Sequence, residues 1–343
     1  MASLGGELLT AKGALTERYQ DLLSVYLKAK TETTLYKGQQ FSRKLLEQQI
    51  SPEDLVSLHI QVMDELFPEM SEEMRDSFDF LLEAMIGYGF AYREHQSLRD
   101  KQQQLESEIE VAASMQQTLL LSDVPEFDEL DIGVVSVPAK KMNGDYYNFV
   151  KSGSSLSVAV ADIIGKGIPA ALCMSMIKYA MDSLPEEQMK PHLLLENLNR
   201  VVEQNVHSNM FITMFHGVYE PESHKFFYAG AGHEPGFIYN AKEDQFHDLI
   251  AKGLVLGVSR TTTYHPYERV IEIGDMVILL SDGVTECRTS KGFIEREEIV
   301  SLIRNYMDLP AQQIVQNVFQ ELDRLQGFEL RDDFTLIILK RMV

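Results

Sequence analysis

Tryptophan is absent from the 343 residues, cysteine occurs twice and basic side chains are scarce. The two cysteines, Cys173 and Cys287, are far apart and form no CxxC pair, which excludes a disulfide framework and a zinc site and fits a reducing cytoplasm. Both read as small buried hydrophobes. No apolar run approaches the roughly 20 residues that a membrane helix needs. The opening MASLGGELLTAKGA has no charged segment followed by an apolar core, so it does not read as a signal peptide, and whether residues 1–14 are ordered is left open by their pattern. Thirty-one Lys and Arg against 52 Asp and Glu give a net charge of -21, which argues against a nucleic-acid partner and leaves cation binding or plain solubility. The chain is expected to be cytoplasmic, with no membrane contact.

What is present falls into three stretches, and the length alone suggests two domains at about 150 residues each. From Leu15 to Ile86 apolar residues recur at helical spacing: Leu15, Tyr19, Leu22, Leu23 and Tyr26 form one stripe, and Phe41, Leu45, Leu46 and Ile50 the next. Ser51-Pro52-Glu53-Asp54 reads as an N-cap, a first-turn proline and two first-turn acids. Pro68 stops that helix and Ser71 starts another. Residues 1–86 are therefore an all-α helical bundle. His59 and His95 are isolated within it and read as structural or solvated residues.

Residues 87–121 are rich in Gln, Glu and Lys, and Leu98, Leu105, Ala112 and Leu119 fall at heptad spacing with Ile109 and Met115 between them. They predict a coiled-coil-like helical linker that pairs with a second copy or packs on a neighbouring domain. After Pro125 the period changes from helix to strand. Strands are expected at Leu130–Val137, Leu156–Val160, Phe211–Tyr219, Lys225–Ala229, Phe237–Tyr239, Val270–Ile273, Met276–Leu280 and Phe334–Leu339. Helices are expected at Ala170–Leu184, Leu193–Asn205, Glu297–Met307 and Ala311–Leu325, and a hairpin at the glycine-rich AGAGHEPG turn. Residues 122–343 thus predict an antiparallel β-sandwich flanked by helices, making the whole chain α+β.

Within that third stretch, SVAVADIIGKGIP reads as a buried strand delivering Asp162 at its end, a Gly165–Gly167 turn, and a helix opening at Pro169. The helix is apolar nearly all round and reads as sandwiched between partners. Acidic residues also stand at strand ends or beside glycine at Asp145 in NGDYY, Asp282 in LLSDGVTE, and Asp332 and Asp333 in RDDFTLIIL. Clustered carboxylates repel one another unless cations lie between them, and all-oxygen ligation selects hard ions, Mg²⁺ or Mn²⁺. Two such ions suit activation of a water and in-line attack on a phosphoryl group.

The segments GDYY, VADIIGKGIPAAL, AGHEP, SDGVTE and DDFTLIIL, in this order, resemble the metal-dependent serine/threonine protein phosphatases of the bacterial stress-response and sporulation branch. The resemblance implies that Asp162 bridges two Mn²⁺ or Mg²⁺ ions, that Asp282 and Asp332 complete one ion's ligands, and that Asp145 serves the other directly or through a water. It also implies a carbonyl ligand from Ile163, where relatives commonly carry glycine; Asp333, where many relatives carry Asn, and Gly165 are expected to stand behind the ligands. The basic residue that eukaryotic relatives use to hold phosphate has no identified counterpart, and Lys166 is the nearest candidate. His233 in AGHEP reads either as a loop residue near the site or as part of a hairpin. No GxSxG, P-loop or cysteine-phosphatase pattern competes.

By the same resemblance the substrate is a phosphorylated anti-anti-sigma factor. The resemblance likewise implies a switch kinase-like activator on the N-terminal domain, and a homodimer through bundle and linker is expected. The alternative is a non-catalytic module that only binds a phosphoprotein.

Overall fold

The computed structural model describes residues 3–48, 50–120, 123–164, 167–183, 190–206, 210–289 and 292–343. Two compact units divide within one helix, at Leu105 and Glu106.

The first unit consists of α1 (Ser3–Ala29), α2 (Glu32–Glu47), α3 (Pro52–Leu66) and the start of α4 (Glu72–Leu120). Its core forms around Phe41, Leu45 and Val62. His59 sits among aromatics, its Nδ1 2.8 Å from the Tyr19 hydroxyl and its ring edge-on to Phe78. It is a satisfied core residue, and burial holds its pKa below the ordinary value. The cap at Ser51 forms as its sequence predicts: the Ser51 hydroxyl accepts from the Asp54 N–H at 3.2 Å, with Pro52 in the first turn. The fourth bundle helix and the predicted linker are one unbroken 49-residue helix, α4, which at 1.5 Å per residue is about 73 Å long. Among the described residues no helix is long and apolar enough to cross a membrane.

The second unit is built on two five-stranded antiparallel sheets. One has the order β1 (Leu130–Val137), β12 (Phe334–Arg341), β9 (Met276–Leu280), β6 (Gly236–Asn240), β7 (Gln245–Leu249). The other runs β2 (Asp145–Ser152), β3 (Ser155–Ile163), β4 (Ile212–Glu220), β5 (Lys225–Ala231), β8 (Tyr267–Val270). Alternation does the sorting: Val158 and Val160 face the other sheet and pack with Phe215, Val277, Leu279, Ile337 and Leu339, whereas Ala159 and Ala161 face α5 (Ile168–Asp182) and α6 (Pro191–Asn205). On the far side, Ile278, Leu280, Leu336 and Ile338 pack against α8 (Arg296–Tyr306) and α9 (Ala311–Leu325). The result is the predicted sandwich with helices on both outer faces.

Three local readings change. AGAGHEPG is not a hairpin, because β5 and β6 lie in different sheets; this stretch is the crossover between them. Its glycines allow the crossing, since a Cβ on Gly236 would lie 2.2 Å from the Ile278 carbonyl oxygen. The strand expected at Val270–Ile273 is β8 at Tyr267–Val270, the residues that pair with β5. Helix α5 is not apolar-covered all round: Cys173, Met174, Ile177 and Met181 are buried, but Leu172 is 67% and Tyr179 76% exposed.

Candidate metal centre

The β2–β3 hairpin sets Asp145 directly opposite Asp162, the first residue of one strand against the penultimate residue of the other. Asp145 is 3% exposed and its Oδ2 has no hydrogen-bond partner. Burial chiefly raises its pKa well above the carboxylate range; the charges of Asp162 and Asp333 add to this, and the nearby Ser281 and Thr335 hydroxyls oppose it.

Asp282 opens the single turn α7 (Asp282–Thr285) at the end of β9, and Asp332 and Asp333 precede β12. These two turns are locked together. The Ser281 N–H donates to the Thr335 carbonyl and the Thr335 N–H to the Ser281 hydroxyl, each at 3.0 Å. Gly283 permits the contact, because a Cβ there would be 2.0 Å from the Asp333 carbonyl oxygen. Asp282 is consequently raised in pKa, by burial first and then by the charge of Asp332, with Glu286 and Glu234 adding to it.

Asp333 joins this pair of turns to the β2 end. Its Oδ1 accepts from the Ala139 N–H at 2.7 Å and its Oδ2 from the Gly144 N–H. Ile163 closes the other side, donating its N–H to the Gly144 carbonyl at 3.2 Å. Asp145, Asp162, Ile163 and Asp333 therefore gather around Gly144, and Asp282 with Asp332 form a second group tethered through Asp333. Among the described residues, no three Asp, Glu, His or Cys side chains converge closely enough to hold an ion as they stand. Gly165 and Lys166 lie outside the described residues.

The donors nonetheless fit a hard divalent cation. Every candidate atom is oxygen, and Asp145 presents a buried, unpartnered one. A Cβ at Gly144 would stand 2.9 Å from Asp333 Oδ2, 3.6 Å from Asp162 Oδ1 and 3.8 Å from the Ile163 carbonyl oxygen, so the missing side chain leaves a small space faced by three oxygens.

Several neighbours were not legible in the sequence. A cavity of about 430 Å³ is bordered by Gly144 and Asp333 on one side and by Lys140, Lys141, Ile168 and Pro169 on others. Lys141 is engaged by Glu110 at 2.8 Å. Arg296 organises the crossover: it donates to Glu234 Oε1 at 3.0 Å, to the Pro235 carbonyl at 2.9 Å and to Asp248 Oδ1 at 3.0 Å, and stacks 4.2 Å over Phe237. His233 bonds through Nδ1 to the Thr213 hydroxyl at 2.9 Å, and Thr213 stands opposite Asp162. Burial pushes its pKa down to about 4, which favours the neutral imidazole. Burial raises both cysteine thiols to about 11, which removes them as nucleophiles.

Residues 152–342 match the family described as Stage II sporulation protein E (SpoIIE), and residues 17–91 match the N-terminal domain of the phosphoserine phosphatase RsbU. The phosphoserine phosphatase RsbU of Bacillus subtilis (strain 168) is 57% identical over 329 residues, 96% of this chain and 98% of its own length. The chain belongs to the RsbU family of phosphoserine phosphatases. It is accordingly a metal-dependent phosphoprotein phosphatase of the PP2C type. The SiaA-PP2C domain of Pseudomonas aeruginosa has a similar fold, at a TM-score of 0.61 and 17% identity over 70% of this chain and 98% of that one. The RsbU and RsbW domains of Rv1364c from Mycobacterium tuberculosis give a TM-score of 0.55 and 25% identity, covering 65% of this chain and 64% of that one.

Proposed function

We propose that this phosphatase removes phosphate from a phosphorylated anti-anti-sigma factor in the cytoplasm, with Asp145, Asp162, Asp282, Asp332 and the Ile163 carbonyl as the ligands of two Mn²⁺ or Mg²⁺ ions. Asp162, opposite Asp145 across the β2–β3 hairpin, would be the ligand common to both. The observation that carries this is the gathering of oxygen donors from β2, β3 and the turn before β12 around Gly144, where no side chain fills the space. Bound cations supply Lewis-acid stabilisation of phosphoryl oxygens and activation of the attacking water. The chain's own residues do the rest. Asp333 holds the Asp145 and Asp332 segments in register through the Ala139 and Gly144 amides. Lys140, on the rim of the neighbouring cavity, attracts the phosphorylated segment, and Arg296 balances Glu234 beside Asp282.

Residues 122–343 are the catalytic part, residues 87–121 the link, and residues 1–86 the surface for a switch kinase-like activator and for the second copy of a homodimer. Support for the pairing comes from the seam: Leu98 and Leu105 are each 59% exposed in the single chain. Phosphate release from a phosphoserine protein, measured with Mn²⁺ and activator, is expected to fall at least about a hundredfold in Asp162→Asn. Retention of activity in that variant, with the fold intact, removes the ligand assignment.

A further inference from the structure

Along α4 from Glu106 to Thr118 the side chains are nearly all exposed or half-buried; only Ala113 and Gln116, three residues apart and so on one face, are buried. A glutamine 4% exposed on such a helix needs partners for its amide, and it finds them on the backbone of a single residue. Gln116 Nε2 donates to the Asn143 carbonyl at 2.8 Å, and Gln116 Oε1 accepts the Asn143 N–H at 3.1 Å. Only this orientation of the amide satisfies both contacts. The same Nε2 lies 3.2 Å from Met174 Sδ on α5.

Asn143 in turn fixes the start of β2. Its Oδ1 accepts the Asp145 N–H at 3.0 Å and its Nδ2 donates to the Ser136 hydroxyl at 3.1 Å. The next residue is Gly144, whose N–H is held by Asp333. Grasping Asn143 at both its N–H and its C=O restrains the peptide units on either side of it, and Asp145 follows two residues later.

We infer that Gln116 is a positioning residue for the metal centre, a two-point backbone clamp through which α4 sets the Asn143–Gly144–Asp145 segment. The inference rests on the reading of Asp145 as a metal ligand. Residues that orient ligands typically cost ten- to a hundredfold in metal affinity when removed. They do so without unfolding the domain.

The test uses the full chain in two variants, Gln116→Met, which keeps length and loses both polar groups, and Gln116→Glu, which keeps an acceptor for the Asn143 N–H and loses the donor. Mn²⁺ affinity is measured by calorimetry, and amide hydrogen exchange over residues 138–147 is measured without metal. Gln116→Met is expected to weaken Mn²⁺ binding roughly tenfold or more and to speed exchange at Gly144 and Asp145 about five- to tenfold. Gln116→Glu is expected between it and the parent, with the melting transition retained in both. Affinity and exchange both within about twofold of the parent overturn the inference. So does loss of the folded state in both variants, because the residue is then a fold determinant rather than a clamp. If the parent itself binds no Mn²⁺, the metal reading falls, and the exchange comparison still decides whether Gln116 holds the segment.

Discussion

In the proposed metal centre the chemistry falls to carboxylates, but their placement is carried by glycines and amides. Gly283 shows the dependence most sharply. Its α-carbon sits so close to the Asp333 carbonyl oxygen that a Cβ would approach to 2.0 Å, and a backbone atom has no rotamer by which to move away. Gly283→Ala is therefore expected to push the α7 turn off the turn before β12, costing about 1–3 kcal/mol of stability and separating Asp282 from Asp332. Denaturant titration reads the first effect, and loss of phosphate release under native conditions reads the second. An unchanged midpoint and activity would show that the two turns are not locked. At this scale the sequence was informative about what reacts and silent about what holds. Asp145, Asp162, Asp282 and Asp332 announce themselves as acids attached to apolar runs. Gln116, Lys140 and Arg296 do not, because a polar residue on a polar helix face or loop looks solvated until the fold supplies its partner. Arg296 finds Glu234 from 62 positions away and Gln116 finds Asn143 from 27.

Among the elements, the crossover between β5 and β6 was the reading most changed. AGAGHEPG has the composition of a turn, and nothing local distinguishes a turn that pairs its two strands from one that sends them to different sheets. The distinction lies in the partners: β6 pairs with β9 and β7, whereas β5 pairs with β4 and β8. Strand β2 was missed because NGDYYN is polar at its start, although Tyr146 and Phe149 are buried. The apolar strands and the amphipathic helices α8 and α9 were legible, because burial on one face writes its period into the sequence. Arg296 is what makes the crossover rigid, with one guanidinium tying Glu234, Pro235 and Asp248 together. Arg296→Ala leaves Glu234 uncompensated beside Asp282. It is expected to lower phosphate release about tenfold or more with substrate KM largely unchanged, and Arg296→Lys to recover only part, since an ammonium does not reproduce the planar fork. Equal activity in all three forms would make the cluster a surface feature.

For the molecule as a whole, the continuous α4 belongs to both compact units, and Leu98 and Leu105 of its heptad pattern are exposed in the single chain. An exposed heptad seam on a helix this long is a pairing surface in the proposed homodimer. Replacing Leu98 and Leu105 together by Asn is expected to shift the sedimentation behaviour from dimer toward monomer; a dimer of undiminished strength would place the pairing elsewhere. The ends of β2 and β3 and the turns beside β9 and β12 are proposed to form a two-ion centre. Calorimetric titration of the activated 343-residue chain with Mn²⁺, beside Asp162→Asn under the same conditions, tests this most directly. Two ions per chain in the parent and loss of that binding in the variant, with both proteins folded, is the predicted result; the same stoichiometry and affinity in both would contradict it.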